Sequence, residues 1–402
     1  MYIKRDIEST ILEFAKQFPS VVLTGPRQSG KSTLLKELFG KTHNLITFDD
    51  PAVQEMFLRD PELFFSEAGE KVILDEIQYV PEILPYIKMR IDRERDKRGS
   101  LIMTGSCRFT LMKRMTESLA GRVGILELLP FGKHEMGNVP ELKEKTRSTL
   151  DNFVHACLKG SFPEVNTTPE IDPGRWYGMY MTTYLERDIR AVYDVGMLRE
   201  FHRFIELLAA RCSQILNMNS LASILGISIN TVKQWISVLE ATRMIYILEP
   251  YYRNLGKRIT KSPKVYFLDS GLVCYLTGLK GKDHLLKGPM AGALFENYCI
   301  QETVKTYFNR GVRPRLYYVR THNKLEIDLL VESGMVLYPV EIKSSKTPNA
   351  RMASPIQRFK ELFGKLQIAE GRIVSLSEKE MKVTRDVSVQ VFDNYMNWLR
   401  KL

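Results

Sequence analysis

The chain has 402 residues, of which 44% are hydrophobic and 26% are charged, values typical of a globular protein rather than a disordered or fibrous one. Its formal net charge of +11 and isoelectric point of about 9.2 favour a polyanionic partner, nucleic acid ahead of a membrane surface, although a basic surface without a specific partner has the same composition. No run of about 18 apolar residues and no N-terminal apolar segment is present, so the sequence predicts neither a membrane span nor a secretory signal.

The cysteines, at positions 107, 157, 212, 274 and 299, are scattered and form no C-x-x-C pair. An odd number of cysteines without pairing predicts reduced thiols in a cytoplasmic protein, and no zinc site.

A complete match to G-x-x-x-x-G-K-[ST] lies between an apolar segment, residues 21–24, and a segment with helical spacing, residues 32–39. In this context, the backbone N–H groups of the loop and the helix N-terminus surround a phosphate. Lys31 is expected to reach the β- and γ-phosphates of ATP, and Ser32 to ligate Mg²⁺. The alternative is a glycine turn that matches by chance. The expected nucleotide-binding residues are Gly25, Pro26, Arg27, Gln28, Ser29, Gly30, Lys31, Ser32 and Thr33.

The next motif is an apolar strand, residues 71–74, that ends in Asp75 and Glu76, as in a Walker B strand. At the carboxyl end of a strand in an open α/β sheet, Asp75 would hold Mg²⁺ through water. Glu76 would act as the general base on the attacking water. Acidic pairs after strands are common, so this interpretation depends on the complete phosphate-binding loop that precedes them.

A third strand, residues 100–104, ends next to Ser106, which is a candidate to sense the γ-phosphate or an ordinary turn or cap serine. A helix further on ends near Arg122. This arginine is a candidate arginine finger that acts on the nucleotide of a neighbouring subunit, and otherwise a surface arginine near a helix end.

Several groups of residues together resemble one family. They are residues 25–32, Ile73-Leu74-Asp75-Glu76-Ile77-Gln78, residues 104–106, residues 118–122 with 129–131, residues 184–189 and residues 264–272. These resemble the large prokaryotic family of AAA-type predicted ATPases that carry a C-terminal conserved domain of undefined function. The resemblance covers nearly the whole chain. It implies ATP binding and hydrolysis and leaves the biological role open.

Residues 201–250 have the spacing of a helix-turn-helix, and residues 244–249 and 264–268 are predicted to be the two strands of a wing. A recognition helix in this position would present its polar side chains to a DNA groove, while a basic wing tip contacts phosphates. The recognition residues would be Asn230, Thr231, Lys233 and Gln234, and the basic residues of the tip Arg253, Lys257, Arg258, Lys261 and Lys264. A winged helix that contacts protein, or serves as an ATPase lid, is the alternative.

The last third has a predicted helix, residues 288–308, followed by three strands that carry Asp328, Glu341 and Lys343. A hairpin turn at residues 333–334 brings Asp328 opposite residues 339–341, and a period of two puts Glu341 and Lys343 on one face. An acid, a turn and Glu-x-Lys resemble the PD-(D/E)xK nuclease core. This resemblance implies that Asp328 and Glu341 bind Mg²⁺, and that Lys343 orients water or stabilises charge.

By the same resemblance, Glu296 on the preceding helix corresponds to the extra acid of resolvase-like members. The proline of the usual signature is replaced by Ile327. The alternatives are a nuclease-like fold that only binds, and an unrelated hairpin with alternating charge.

The expected fold class is α/β: a P-loop AAA-type ATPase domain, then an all-α lid and winged-helix region, then an α/β PD-(D/E)xK nuclease-like domain. The expected boundaries are 1–132, 133–200, 201–285 and 286–402. The expected function is a Mg²⁺-dependent ATPase that couples ATP hydrolysis to binding or remodelling of DNA, with branched or structured DNA as one option. It is expected to be a homo-oligomer with no membrane partner, and an active nuclease-like site would add metal-dependent DNA cleavage by the C-terminal domain. The alternative is an ATP-dependent regulatory switch that binds DNA or protein and has an inactive nuclease-like domain.

Overall fold

The computed structural model describes residues 2–106, 119–143, 148–184, 198–251, 262–321 and 325–402. Its N-terminal part is a parallel sheet made of β1 (Ser20–Gly25), β2 (Asn44–Thr47), β3 (Val72–Asp75), β4 (Leu101–Ser106) and β5 (Val123–Glu127). The strand order is β2-β3-β4-β1-β5. Because β4 lies between β1 and β3, the segments that follow these three strands meet at one edge of the sheet.

Helices cover both faces of this sheet. They are α1 (Glu8–Gln17), α2 (Lys31–Phe39), α3 (Pro51–Arg59), α4 (Pro61–Glu67) and α5 (Ile83–Arg93). Val22 and Leu74 pack in a core with α3, α4 and α5, whereas Leu23 and Ile73 pack in a core with α1 and α2. Each fully buried aliphatic side chain of this kind stabilises the fold by about 1.5–3 kcal/mol. The carboxyl edge of the sheet is thus the natural place for a ligand.

Residues 51–67 form two helices, α3 and α4, which meet at Asp60 and Pro61. Pro61 lacks the N–H that would continue α3, and its fixed φ suits the first turn of a new helix. The side chain of Asp60 accepts a hydrogen bond from the N–H of Leu63 over 2.9 Å and caps α4.

The middle of the chain is mostly helical. Its helices are α6 (Lys133–Met136), α7 (Pro140–Lys143), α8 (Thr149–Leu158), α9 (Pro163–Thr167), α10 (Pro173–Tyr184), α11 (Leu198–Ala210), α12 (Met218–Leu225) and α13 (Ile229–Ala241). Gly226, with φ of 67°, ends α12, and the hydroxyl of Ser228 accepts the N–H of Thr231 over 3.0 Å to begin α13. An antiparallel pair follows, β6 (Ile245–Pro250) and β7 (Lys264–Phe267).

The C-terminal part combines a second sheet with flanking helices. The helices are α14 (Ser270–Leu276), α15 (Lys282–Lys287), α16 (Ala291–Asn309), α17 (Ser354–Leu362) and α18 (Phe392–Lys401). The new strands are β8 (Leu316–Arg320), β9 (Glu326–Ser333), β10 (Val336–Lys343), β11 (Gly371–Ser375), β12 (Met381–Thr384) and β13 (Val387–Gln390). Strand β9 pairs antiparallel with both β8 and β10. Strand β11 lies between β10 and β13 and pairs parallel with both.

The pair β6–β7 belongs to this same sheet, whose order is β12-β13-β11-β10-β9-β8-β6-β7. It is joined by parallel pairing of β6 with β8. One hydrophobic core also extends through residues of α11–α13, α16 and α18, so residues 201–285 and 286–402 fold against each other. Among the described residues, no helix combines the length and the apolar character that crossing a membrane requires.

Candidate functional site

The loop between β1 and α2 has the backbone geometry of a phosphate-binding loop. Gly25 has φ of 147°, and a Cβ there would lie 2.1 Å from the carbonyl oxygen of Leu128, so only glycine fits. Gly30 adopts a left-handed conformation, with φ of 91°, directly before the first residue of α2. The ammonium of Lys31 donates to the carbonyl oxygens of Gly25 and Pro26 over 3.2 and 3.0 Å. This lysine is therefore held over the loop, where phosphate oxygens are expected to bind.

Asp75, at the end of β3, contacts the first turn of α2. The hydroxyl of Ser32 donates to its carboxylate over 2.9 Å, and the hydroxyl of Thr104 on β4 donates over 2.5 Å. Burial raises the pKa of Asp75, although the hydrogen bonds from Thr104 and Ser32 oppose that rise. A buried carboxylate beside a serine hydroxyl provides the oxygen ligands that Mg²⁺ prefers, so these residues fit the ion.

Glu76 follows Asp75 in a left-handed conformation, with φ of 57° and ψ of 45°. Its backbone N–H donates to the hydroxyl of Thr104 over 2.9 Å, and its carboxylate accepts a hydrogen bond from the side-chain amide of Gln78. Left-handed non-glycine residues are uncommon and mark positions that the surrounding structure fixes. The hydrogen bonds to Thr104 and Gln78 therefore hold Glu76 in a sharp turn directly after β3.

Thr104 is a functional residue that the sequence reasoning missed. Its hydroxyl connects the carboxylate of Asp75 with the backbone of Glu76, and so couples the two acids of the motif. The signal in the sequence was a polar residue directly after the apolar run Leu101-Ile102-Met103. The structure shows that Thr104 is fully buried in the central strand β4. The candidate predicted from the sequence, Ser106, lies two residues later, and its side chain is outside what the structure describes.

Arg122 lies just before β5 and pairs within its own chain. Its guanidinium makes two hydrogen bonds to the carboxylate of Asp92 on α5, of 2.6 and 3.0 Å. The carboxylate holds the pKa of Arg122 above its ordinary value, and the arginine lowers the pKa of Asp92. The two side chains are 28% and 41% exposed, so this is a surface ion pair that contributes little to stability.

A buried ion pair holds the phosphate-binding loop from outside. The guanidinium of Arg5 donates to the carbonyl oxygens of Ser29 and Leu129 over 2.8 and 2.6 Å, and to the carboxylate of Glu135 over 2.9 Å. Glu135 is 0% exposed and also accepts the N–H of Gly132 over 2.7 Å. Residues far apart in sequence therefore position the loop together.

This network of buried hydrogen bonds and ion pairs continues into the C-terminal part of the protein. The N–H of Lys133, next to Gly132, donates to Glu302 on α16 over 2.6 Å. On that helix, the ammonium of Lys305 donates to Glu302 over 3.1 Å and to the carbonyl oxygen of Phe131 over 2.9 Å. Both side chains are nearly fully buried, so the contact between the two parts of the chain is specific.

In the second sheet, the structure brings Asp328, Glu341 and Lys343 together, as predicted. The pairing of Leu329 with Val340 places Asp328 opposite Glu341 on adjacent antiparallel strands. The ammonium of Lys343 contacts the carboxylates of Asp328 and Glu341 at 2.9 and 2.7 Å. The backbone N–H of Ile342 donates to Asp328 over 2.9 Å.

These three side chains line a cavity of about 280 Å³, with Leu325, Glu326, Ser354, Pro355 and Arg358. Glu341 is 1% exposed, and its Oε1 atom has no hydrogen-bond partner. Burial and the nearby Asp328 raise the pKa of Glu341 well above its ordinary value, against the lowering effect of Lys343. A buried carboxylate oxygen without a partner, beside a second carboxylate, fits a divalent cation.

Glu296, the predicted additional acid, contacts other residues. It accepts a hydrogen bond from the ammonium of Lys264 over 3.1 Å and from the hydroxyl of Tyr266 over 2.6 Å. Burial and Asp328 raise the pKa of Glu296 to about 7, although Lys264 lowers it. Lys264 also pairs with Glu326 over 2.8 Å.

The assignment of Lys264 to an exposed wing tip was wrong. Lys264 is 3% exposed, because β7, the edge strand of the large sheet, is covered along its whole length. Two carboxylates compensate for the burial of its charge, and their attraction raises its pKa despite the opposing effect of burial. The other tip residues, Arg253, Lys257, Arg258 and Lys261, lie outside the described residues.

Helix α13 presents a mixed face to solvent. Asn230, Lys233 and Gln234 are exposed, and Thr231 is half-buried at the cap of the helix. Ile229 at the start of this helix is also exposed. Among the described residues, no group of three or more His, Cys, Asp and Glu side chains is arranged to hold a metal.

A phosphate-binding loop at the edge of a parallel sheet, facing an Asp-Glu pair, defines a P-loop ATPase. Comparison with family models agrees, since residues 17–137 match a family described as an AAA domain. Residues 150–283 and 291–393 match two families described as domains of unknown function, DUF8612 and DUF4143.

The uncharacterized protein Rv2008c of Mycobacterium tuberculosis is 31% identical over 348 residues, which cover 86% of this chain and 75% of that protein. The uncharacterized protein MJ1637 of Methanocaldococcus jannaschii is 25% identical over 290 residues, covering 62% of this chain and 60% of that protein. Among solved structures, the Walker-type ATPase paby2304 of Pyrococcus abyssi has a TM-score of 0.48 and 17% identity, over 68% of this chain and 96% of that one. The chain belongs to the same family as the mycobacterial protein, and it is an AAA-type ATPase.

Proposed function

We propose that this ATPase is Mg²⁺-dependent, that its ATP cycle is coupled to binding of DNA, and that its C-terminal site cleaves DNA with a divalent cation. One observation carries the second half of this proposal. The buried, unpartnered oxygen of Glu341 lies beside Asp328 and Lys343 in an open cavity. The ATPase half depends on the loop, on Asp75 and on Glu76.

At the nucleotide site, each residue has a distinct role. The backbone of Gly25–Thr33 and the ammonium of Lys31 hold the phosphates. Ser32 and Asp75 hold Mg²⁺, which when bound supplies positive charge to the β- and γ-phosphate oxygens. Glu76 accepts the proton of the attacking water, and Thr104 fixes the backbone from which Glu76 projects.

At the C-terminal site, Asp328 and Glu341 hold the divalent cation. When bound there, the ion supplies charge to a phosphodiester and lowers the pKa of water. Lys343 touches both carboxylates, so its ammonium is placed to orient water or to stabilise negative charge on phosphate. The strand order around this site, with three antiparallel strands, a helix and a parallel strand, supports the nuclease-like interpretation.

The DNA-binding part of the proposal is supported by charge and by α13. The net charge of +11 favours a polyanion. Asn230, Lys233 and Gln234 lie on the solvent side of a helix that follows a tight, glycine-containing turn. Such side chains bind base edges and phosphates when the helix enters a groove.

The test is ATPase activity and DNA cleavage measured in the same reactions, with linear, single-stranded and branched DNA. We expect DNA to stimulate ATP hydrolysis, and cleavage to require Mg²⁺ or Mn²⁺. Asp328→Asn and Glu341→Gln should lose cleavage and retain ATPase activity, because the two sites use different residues. Equal cleavage by wild type and both variants, in preparations free of other nucleases, would refute the nuclease proposal.

DNA binding is tested through its salt dependence. Lys233→Ala together with Gln234→Ala should weaken DNA binding and reduce the slope of log K against log salt by about 1. Lys287→Ala is the matched control, since Lys287 is an exposed lysine on another helix. DNA affinity that is negligible, or that barely falls as salt rises, would contradict the proposal.

A second function, an ATP-dependent switch that binds a protein partner and has an inactive C-terminal site, is favoured by one observation. Ile224 and Ile229, on either side of the turn before α13, are 52% and 43% exposed. Exposed aliphatic side chains at the end of a recognition helix suit a protein contact better than a DNA phosphate. This function predicts that Ile229→Ser, and not Lys233→Ala, abolishes the partner's effect on ATP turnover.

A further inference from the structure

We infer that the C-terminal site takes one divalent cation, and that the ammonium of Lys264 occupies the place of a second. This inference rests on the proposed function, since it concerns the same C-terminal site. It assigns to Lys264 the role of a positioning residue that neutralises two further acids, Glu296 and Glu326.

Several acidic side chains lie on or near the cavity of the C-terminal site. Glu326 and Asp328 lie two residues apart on β9, so both project from the same face of the sheet, toward Glu341. Glu296 projects toward them from α16. Asp328 and Glu341 form one pair beside the cavity, and Lys264 joins Glu326 and Glu296 as a second pair.

Two of these carboxylates, Glu296 and Glu326, are already paired with the ammonium of Lys264. Lys264 Nζ lies 3.1 Å from Glu296 Oε1 and 2.8 Å from Glu326 Oε1, and its side chain is 4% exposed. Tyr266 donates a further hydrogen bond to Glu296 over 2.6 Å. A buried ammonium between two carboxylates is stable only while both remain paired with it, so neither is available to a metal.

The other two carboxylates, those of Asp328 and Glu341, share the ammonium of Lys343. Lys343 uses Glu341 Oε2 and Asp328 Oδ2, which leaves Glu341 Oε1 as the buried carboxylate oxygen without a partner. Lys264 and Lys343 each contact two of the four carboxylates, and the exposed Arg320 lies 3.8 Å from Glu326. Of these four carboxylates, only Glu341 thus has a buried oxygen left without a hydrogen-bond partner, which is room for one divalent cation.

Lys264 belongs to β7, in the region predicted to be the wing, and not to the nuclease-like region itself. The acidic cluster of the C-terminal site therefore includes a lysine from β7, a strand that comes well before β9 and β10 in the sequence. Strand β6 pairs with both β7 and β8, and this pairing brings Lys264 next to the acids of the C-terminal site.

The test counts Mn²⁺ bound per chain by calorimetry, without nucleotide, in the full-length protein. The parent is Asp75→Asn, which removes the carboxylate of the nucleotide-site metal. Its Glu341→Gln derivative measures residual background binding. We expect one ion above background in the parent, and two when Lys264→Met is added, since Glu296 and Glu326 then lose the buried ammonium between them. Lys287→Met, at an exposed lysine that also pairs with a carboxylate, should leave the number at one.

Glu296→Gln keeps the test decisive if Lys264→Met does not fold. If Glu296 serves Lys264 and not a metal, this variant binds one Mn²⁺ with a dissociation constant within about twofold of the parent. Two ions in the parent, a tenfold or greater loss of affinity in Glu296→Gln, or one ion with unchanged affinity in Lys264→Met would each overturn the inference. No ion above background in the parent would overturn the inference and the proposed nuclease together. Two ions with retained cleavage would overturn the inference alone.

Discussion

The guanidinium of Arg5 donates to the carbonyl oxygen of Ser29 across 2.8 Å, so a residue near the N-terminus holds the phosphate-binding loop in place. The same side chain pairs with Glu135, which lies 130 positions away in the sequence. Both residues are almost completely buried, at 4% and 0% exposed. The shape of the loop therefore depends on the chain that follows β5 as well as on its own glycines.

Arg5→Met should destabilise the protein and weaken ATP binding. The substitution leaves the carboxylate of Glu135 buried without its cation, and removing one partner of a buried pair costs about 3–5 kcal/mol. The carbonyl of Ser29 also loses its donor, so the loop is less well ordered before nucleotide binds. Thermal unfolding and fluorescent-nucleotide titration measure the two effects.

The control for this prediction is the double variant Arg5→Met with Glu135→Gln. Removing both charges should recover part of the stability lost in Arg5→Met, because no unpaired buried charge remains. Losses of stability that simply add in the double variant would mean that the two residues contribute independently.

Thr104→Val should lower ATP turnover with little effect on ATP affinity. Valine has nearly the same shape but cannot donate to Asp75 or accept the N–H of Glu76. Losing a hydrogen bond to a charged group costs about 1.5–3 kcal/mol, or roughly ten- to a hundredfold in rate if the loss falls on the transition state. Thr104→Ser keeps the hydroxyl and should retain most of the activity. Equal kcat values for Thr104→Val and wild type would remove Thr104 from the catalytic machinery.

The motifs of the ATPase part were predictable because each depends on a short segment. A glycine loop after an apolar strand, and Asp75 at the end of another, follow from local sequence alone. The hairpin turn predicted at residues 333–334 brought Asp328 opposite residues 339–341. The turn lies one residue further on, at Gly334 and Met335, and this register places Asp328 opposite Glu341.

Contacts between distant segments were not predictable. Lys264 looked like one more basic residue of a wing tip, and only the addition of β6 and β7 to the second sheet buries it beside Glu296. Similarly, nothing near Arg5 in the sequence indicates Glu135 as its partner. Thr104 was missed because its role requires the register between β3 and β4, which sets its hydroxyl beside Asp75.

Lys31→Ala and Glu76→Gln should affect different steps of the ATPase reaction. Lys31→Ala should abolish nucleotide binding, since it removes the charge held over the loop carbonyls. Glu76→Gln should bind ATP and fail to turn it over, because an amide cannot accept the proton of water. Equilibrium binding and single-turnover hydrolysis distinguish the steps. Hydrolysis retained in Glu76→Gln would exclude this residue as the base.

Arg122→Ala should lose ATP hydrolysis if the arginine acts on the nucleotide of a neighbouring subunit, where such residues contribute about 10³–10⁵-fold. Mixing Arg122→Ala with Glu76→Gln chains should restore activity above the sum of the separate preparations. Within a mixed oligomer, the intact Arg122 of one chain faces the intact Glu76 of the next. Asp92→Ala is the matched control, since it breaks the pair with Arg122 and leaves the arginine in place. Asp92→Ala should therefore retain activity. Full activity of Arg122→Ala, or no recovery on mixing, would contradict action between subunits.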